Sequence, residues 1–228
     1  MQQAKVLVNT PVEFISVLNN QQRVKQDENN DELFYSMPRF VQHLDGGFRK
    51  ELTNLYSDRI EAGSIILDLM SSWVSHLPAS NNYKEVIGHG LNEQELKANK
   101  QLSSYWLQNL NVNQHLPLAD CQVDTGLIVA GWQYLQKPEA VASELFRVVK
   151  PGGILIVSFS NRMFSSKAPL AWLESSDRER LNLISKVVRH QGWHIEELVS
   201  KETIDTGPLK WFAGKGDPFF SVIARKPT

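Results

Sequence analysis

The chain has 228 residues, 42% of them apolar and 21% charged, and its 24 Lys and Arg against 25 Asp and Glu give a formal net charge of −1. That balance excludes affinity built on nucleic-acid phosphates or on an anionic membrane surface, which need a basic excess; the apolar share excludes a disordered chain. A single cysteine, Cys121, excludes an internal disulfide framework and a cysteine zinc cluster and points to a reducing compartment.

The first thirteen residues carry one lysine, and their apolar stretch is broken by Asn9, Thr10 and Pro11, so no signal peptide is expected. No run approaches the ~18 apolar residues of a spanning helix. A soluble, cytoplasmic protein is expected.

Thr10-Pro11-Val12-Glu13 has the form of a capping box with proline at the first helical position, predicting a short helix to about Leu18. In the stretch 19–31, seven of thirteen residues are Asn or Gln, too polar to order itself, so a linker or mobile loop is expected. Phe34-Tyr35 and Pro38 to Val41 are apolar enough to dock elsewhere. Phe48, Leu52, Leu55, Tyr56 and Ile60 share one helical face, and Gly63 stops that helix.

From Gly63 the pattern changes. Apolar runs at Ile65 to Leu69, Glu85 to Gly88, Gly126 to Ala130 and Ile154 to Val157 read as strands, with helices beginning near Glu93 and at Pro138 and Ser176. Pro151-Gly152-Gly153 closes the second of these helices. The last two strand-like segments, Ile195 to Val199 and Phe219 to Ala224, have no helical pattern between them. The expected fold is α/β: a mostly parallel sheet with helices on both faces, an antiparallel last strand and a small N-terminal helical appendage, to which the family resemblance described next adds a Rossmann-like form and a count of seven strands. Residues 1–62 form that appendage and residues 63–228 the main domain. In such sheets ligands bind beyond the carboxyl ends of the strands.

The segment from 63 to 228 resembles the class I S-adenosylmethionine-dependent methyltransferases, of the type 11-like group. Three stretches carry the likeness: Ile66-Leu67-Asp68-Leu69-Met70-Ser71-Ser72-Trp73-Val74 for the first strand and its glycine-rich turn, Val123 to Val129 for the fourth strand, and Leu135 to Phe159 for the helix, the Lys-Pro-Gly-Gly turn and the fifth strand. More narrowly, Asp68 to Pro78 and Ser158 to Phe164 are similar to a poorly characterised branch of photosynthetic organisms and bacteria. The resemblance implies S-adenosylmethionine as cofactor and methyl transfer to a small molecule. It does not identify a catalytic residue, and no metal is expected.

On that resemblance, Asp68, Met70, Ser71, Ser72, Asn92, Asn109, Leu110 and Gly131 are the candidates for the cofactor. Family glycines stand where this chain has Met70, Ser72 and Val74, and the ribose-binding acid falls at Gly90, with Asn92 or Glu93 as substitutes. Ser71 and Ser72 serve equally as caps of a following helix. Tyr35, Arg39, Trp132, Asn161 and Arg162 are candidates for the substrate side, Arg162 as the anchor of a carboxylate or phosphate. The competing readings are a packed aromatic for Trp132 and a surface salt bridge for Arg162.

His190 and His194 are separated by Gly192, which argues against a helical metal pair. His76 is a base or a capping residue, and Cys121 an inert thiol. Two rival functions remain. One is a non-catalytic binding or regulatory protein derived from the same fold; the other, weaker for want of G-x-G-x-x-G, is a nicotinamide-dependent dehydrogenase.

Overall fold

Seven strands form one sheet in the order β3-β2-β1-β4-β5-β7-β6. They are β1 (Ile65–Leu69), β2 (Glu85–Gly90), β3 (Ser104–Leu107), β4 (Val123–Val129), β5 (Val149–Phe159), β6 (His194–Lys201) and β7 (Phe219–Arg225). The computed structural model describes residues 12–204 and 215–228. β1 to β5 pair in parallel, and β7 runs antiparallel between β5 and β6. This is the Rossmann-like arrangement expected from the pattern of runs and the family resemblance.

The helices are α1 (Asp31–Phe34), α2 (Gly46–Arg59), α3 (Glu93–Ala98), α4 (Pro138–Val148), α5 (Leu170–Leu173) and α6 (Asp177–His190). Two cores lie on opposite sheet faces. One packs Val141, Leu145 and Val148 of α4 with Ile184, Val187 and Val188 of α6; the other packs Phe48, Leu52 and Tyr56 of α2 on Ile66, Leu127 and Ile156. Continuous apolar strands are needed because both faces are covered. The Lys-Pro-Gly-Gly turn is equally determined. Gly152 has φ +77°, and a Cβ on Gly153 would stand 2.6 Å from the Asp124 carbonyl oxygen.

Two local expectations fail, and the polar stretch 19–31 has partners that its composition does not show. Thr10 lies outside the described residues, and Val12 to Leu18 form no helix. Instead the chain runs along α4, where the amides of Val17 and Leu18 donate to the buried Glu139 carboxylate at 2.8 and 2.7 Å. The polar stretch 19–31 is pinned by ions rather than by apolar burial. Arg23 pairs with Glu139, Lys25 with Asp31, and Lys167 with Asp27 and Asp31, the two lysine side chains being 2% and 1% exposed. Composition cannot foresee this, because the partners Glu139 and Lys167 come from distant sequence. Finally, residues 70–84 contain no helix. Ser71 and Ser72 therefore cap nothing, and β1 crosses to its parallel neighbour through irregular chain.

No helix among the described residues is long and apolar enough to cross a membrane.

Candidate active site

The carboxyl ends of β1, β2, β4 and β5 open on a cavity of about 700 Å³, roofed by residues of the N-terminal segment that include Tyr35, Arg39 and His43. That size suits a small-molecule site. Its floor is strained. Met70 adopts φ +60° and Ala130 φ +49°, a left-handed region that non-glycine residues seldom enter. Met70 stands where the resemblance places the first glycine of the family turn, and its backbone takes a conformation that glycine enters without strain. The turn lies close to its neighbours: a Cβ on Gly131 would meet Met70 Cβ at 2.7 Å, and one on Gly90 would meet the Ser71 carbonyl oxygen at 2.7 Å. Gly90 thus admits the turn from β1, which is why no ribose-binding acid can stand there.

Asp68 lies beneath this turn and is not part of the large cavity wall. It is 4% exposed, accepts from Ser71 Oγ at 2.5 Å, and borders a smaller pocket of about 80 Å³ with Trp73 to His76. Burial pushes its pKa up to about 6. Asp68 thus reaches the large cavity only through its hydrogen-bond partner Ser71, which lines it. Ser72 also lines it and donates to Glu95 Oε2 at 2.5 Å, while Glu95 Oε1 accepts from the Arg39 amide at 2.7 Å.

Asn92 caps α3 by accepting from the Glu95 amide at 3.1 Å, and its two amide hydrogens go to the Tyr35 and Ser36 carbonyl oxygens at 2.9 and 3.1 Å. With both donors committed, it clamps the roof rather than gripping a ribose. The carboxylate that does line the cavity at the end of β2 is Glu95, one turn into α3. Asn109 and Leu110 line the far end near β3; Asn109 accepts from the Asn111 amide at 2.9 Å and donates to Asn30 at 3.3 Å.

On the β4–β5 side, Trp132 is 3% exposed, packs into the core and leaves the cavity wall to Gln133 and Tyr134. The packed-aromatic reading is the right one. Asn161 and Arg162 border the cavity, but the Arg162 side chain is 61% exposed and its Nε donates to Asp217 at 2.5 Å, so its charge is already matched. Arg39 differs. Its guanidinium lies 4.7 Å from the Phe34 ring centroid and 5.4 Å from those of Tyr35 and Phe164. Burial holds the Tyr35 and Tyr134 phenols far above neutrality and lowers the pKa of His43, leaving donors and a neutral imidazole around the cavity.

Residues 71–157 match the family model described as a methyltransferase domain. The match spans the chain from the turn after β1 into β5. Among solved structures, a SAM-dependent methyltransferase from Aquifex aeolicus aligns at TM-score 0.54 and 17% identity over 80% of this chain and 90% of its own. One from Mesorhizobium loti aligns at 0.54 and 15% over 79% and 99%. The [4+2]-cyclase SpnF aligns at 0.55 and 17% over 78% and 80%. At these identities the likeness shows the fold alone. No curated protein matches the chain by sequence.

Sequence reasoning missed His43, His89, Glu95, Gln133 and Phe164. Only Glu95 carried a usable signal, as an acid inside the turn that Asn92 caps. His89 stands on β2, where nothing in the run of residues marks its partners; His43, Gln133 and Phe164 reach the site through the covering segment or through loops whose path no local pattern encodes.

Proposed function

We propose that the cavity binds S-adenosylmethionine and that the protein transfers its methyl group to a small molecule. The observation that supports this reading is the left-handed turn at Met70, where the resemblance places the first glycine of the cofactor turn, beside a cavity onto which the ends of β1, β2 and β4 open. The residues present fit the cofactor. Leu110 and Asn109 offer an apolar and a polar contact for the base. Glu95 retains free lone pairs on both carboxylate oxygens for the ribose hydroxyls. Ser71, Ser72 and the Met70–Gly131 approach bound the methionine end. The cofactor supplies a methyl already activated on a sulfonium. The roof contributes alignment and exclusion of water, which is most of what such a transfer needs from the protein.

One observation favours a second reading. No helix follows β1, so the helix N-terminus that would offer amides to the methionine carboxylate is absent. A protein that keeps the fold and binds another ligand would fit that departure. A thermal-shift series separates the two. Binding to the native state alone raises the melting temperature. A rise with S-adenosylmethionine and S-adenosylhomocysteine but not with NAD supports methyl transfer; no rise at millimolar nucleoside supports the second reading.

A further inference from the structure

Arg39 Nη1 and Gln133 Oε1 are buried polar atoms without a hydrogen-bond partner among the described residues, and both residues belong to the cavity wall. Such orphans are rare in native proteins and call for a partner that the described residues do not supply. The third orphan, Tyr56 Oη, lies in the core on α2 and is unrelated.

Arg39 is a cation that cannot shed its charge. Aromatic faces surround it, and the hydrogen bond of its guanidinium is Nη2 to the Phe34 carbonyl oxygen at 2.9 Å, a neutral acceptor. No carboxylate pairs with it among the described residues. Gln133 is 1% exposed; its amide nitrogen reaches the Arg162 carbonyl oxygen at 3.4 Å, and its oxygen is left over. Both side chains sit toward Phe164 and Arg162, beyond β4 and β5. The nucleoside half of a cofactor would lie over β1, β2 and β3. A guanidinium beside a cationic sulfonium is repelled unless an anion lies close by.

We propose that the methyl acceptor carries an anionic group, held by Arg39, together with an N–H or O–H donor, held by Gln133 Oε1. This rests on the methyltransferase reading and adds to it the chemical class of the acceptor. It also transfers the role of anion anchor from Arg162, whose charge Asp217 matches, to Arg39.

The test is calorimetric titration of the full chain with 3- and 4-hydroxybenzoate, their methyl esters and benzoate, with and without saturating S-adenosylhomocysteine. The acids are expected to bind at least about tenfold more tightly than the esters, the scale of a charge-assisted pair. Arg39→Gln should abolish that preference and Arg39→Lys retain part of it. Gln133→Leu should weaken the hydroxybenzoates several-fold and leave benzoate unchanged. S-adenosylhomocysteine affinity should stay within about twofold in Arg39→Gln. Equal binding of acids and esters, or binding of neither, overturns the proposal. Loss of S-adenosylhomocysteine binding in Arg39→Gln also overturns it, by assigning the guanidinium to the cofactor's own carboxylate. An acid preference that persists in a wild type unable to bind S-adenosylhomocysteine upholds the anchor and defeats the methyltransferase reading instead.

Discussion

The amide of Met70 donates to Nδ1 of His89 at 3.1 Å, and this one bond determines the state of the ring. With Nδ1 as acceptor, the proton stands on Nε2, which donates to the Gln108 carbonyl oxygen at 2.8 Å. One neutral imidazole thus ties together the ends of β1, β2 and β3 beneath the cavity. Burial lowers its pKa to about 4. The folded value is below the unfolded one of ~6.5, so this contribution to stability is complete above pH 6.5 and is lost as pH falls toward 4. His89→Phe leaves two buried backbone groups without partners. A loss of roughly 2–6 kcal/mol at pH 7 is expected, at ~1–3 for each group. Urea midpoints from pH 4 to 8 should show the wild-type decline in acid flattened in the variant.

Asp68 works in the opposite direction. Its pKa is raised from 3.8 to about 6 by burial, so the folded protein binds the proton more tightly than the unfolded chain. Stability from this group is complete below pH 3.8 and is lost as pH rises through 6. Asp68→Asn keeps an acceptor for Ser71 and removes the buried charge. It should raise stability above pH 6 by up to roughly 3 kcal/mol and leave it nearly unchanged at pH 4. Denaturant titrations at the two pH values check this; equal effects at both would show that the carboxylate carries no desolvation cost.

Met70 is the position where sequence and backbone disagree most. A left-handed conformation costs a side-chain-bearing residue ~1–2 kcal/mol, and glycine almost nothing. Met70→Gly relieves that strain and gives up partly buried side-chain packing, so stability should change by less than about 1 kcal/mol. Met70→Val, β-branched in the same conformation, should lose ~2 kcal/mol or more. Melting curves of the two variants side by side provide the comparison.

Glu139 anchors the N-terminal segment. Its side chain is fully buried and holds Arg23 together with the Val17 and Leu18 amides. Glu139→Ala strands the Arg23 charge, and breaking a buried pair in this way typically costs ~3–5 kcal/mol. Limited proteolysis should then cut within residues 19–31 of the variant well before the wild type. An unchanged cleavage rate would mean that the apolar contacts of Phe34 and Tyr35 hold the segment unaided.

The strands and main helices were legible because both sheet faces are covered, which leaves apolar runs such as Ile154 to Val157, and because Ser176 and Pro138 mark helix starts by local rules. Residues lining the cavity were legible at strand ends, as at Met70, Asn109 and Gly131, and in the apolar stretch that holds Tyr35 and Arg39. Roles set by tertiary partners were not. Asn92 has the residue type of a ribose ligand, but Tyr35 and Ser36 take both its donors; Arg162 has the place of an anion anchor, but Asp217 pairs with it. The helix expected after β1 failed for a related reason. The turn there is held by His89 and Glu95 across the sheet edge rather than by its own intrahelical bonds.

The cavity's occupant decides the account. Calorimetric titration of the full chain with S-adenosylhomocysteine at pH 7 measures it directly. A single site with an affinity in the micromolar range, weakened at least tenfold by Glu95→Leu, is the expected result. Absence of heat at millimolar ligand, or binding indifferent to Glu95, would contradict the assignment of this cavity to the cofactor.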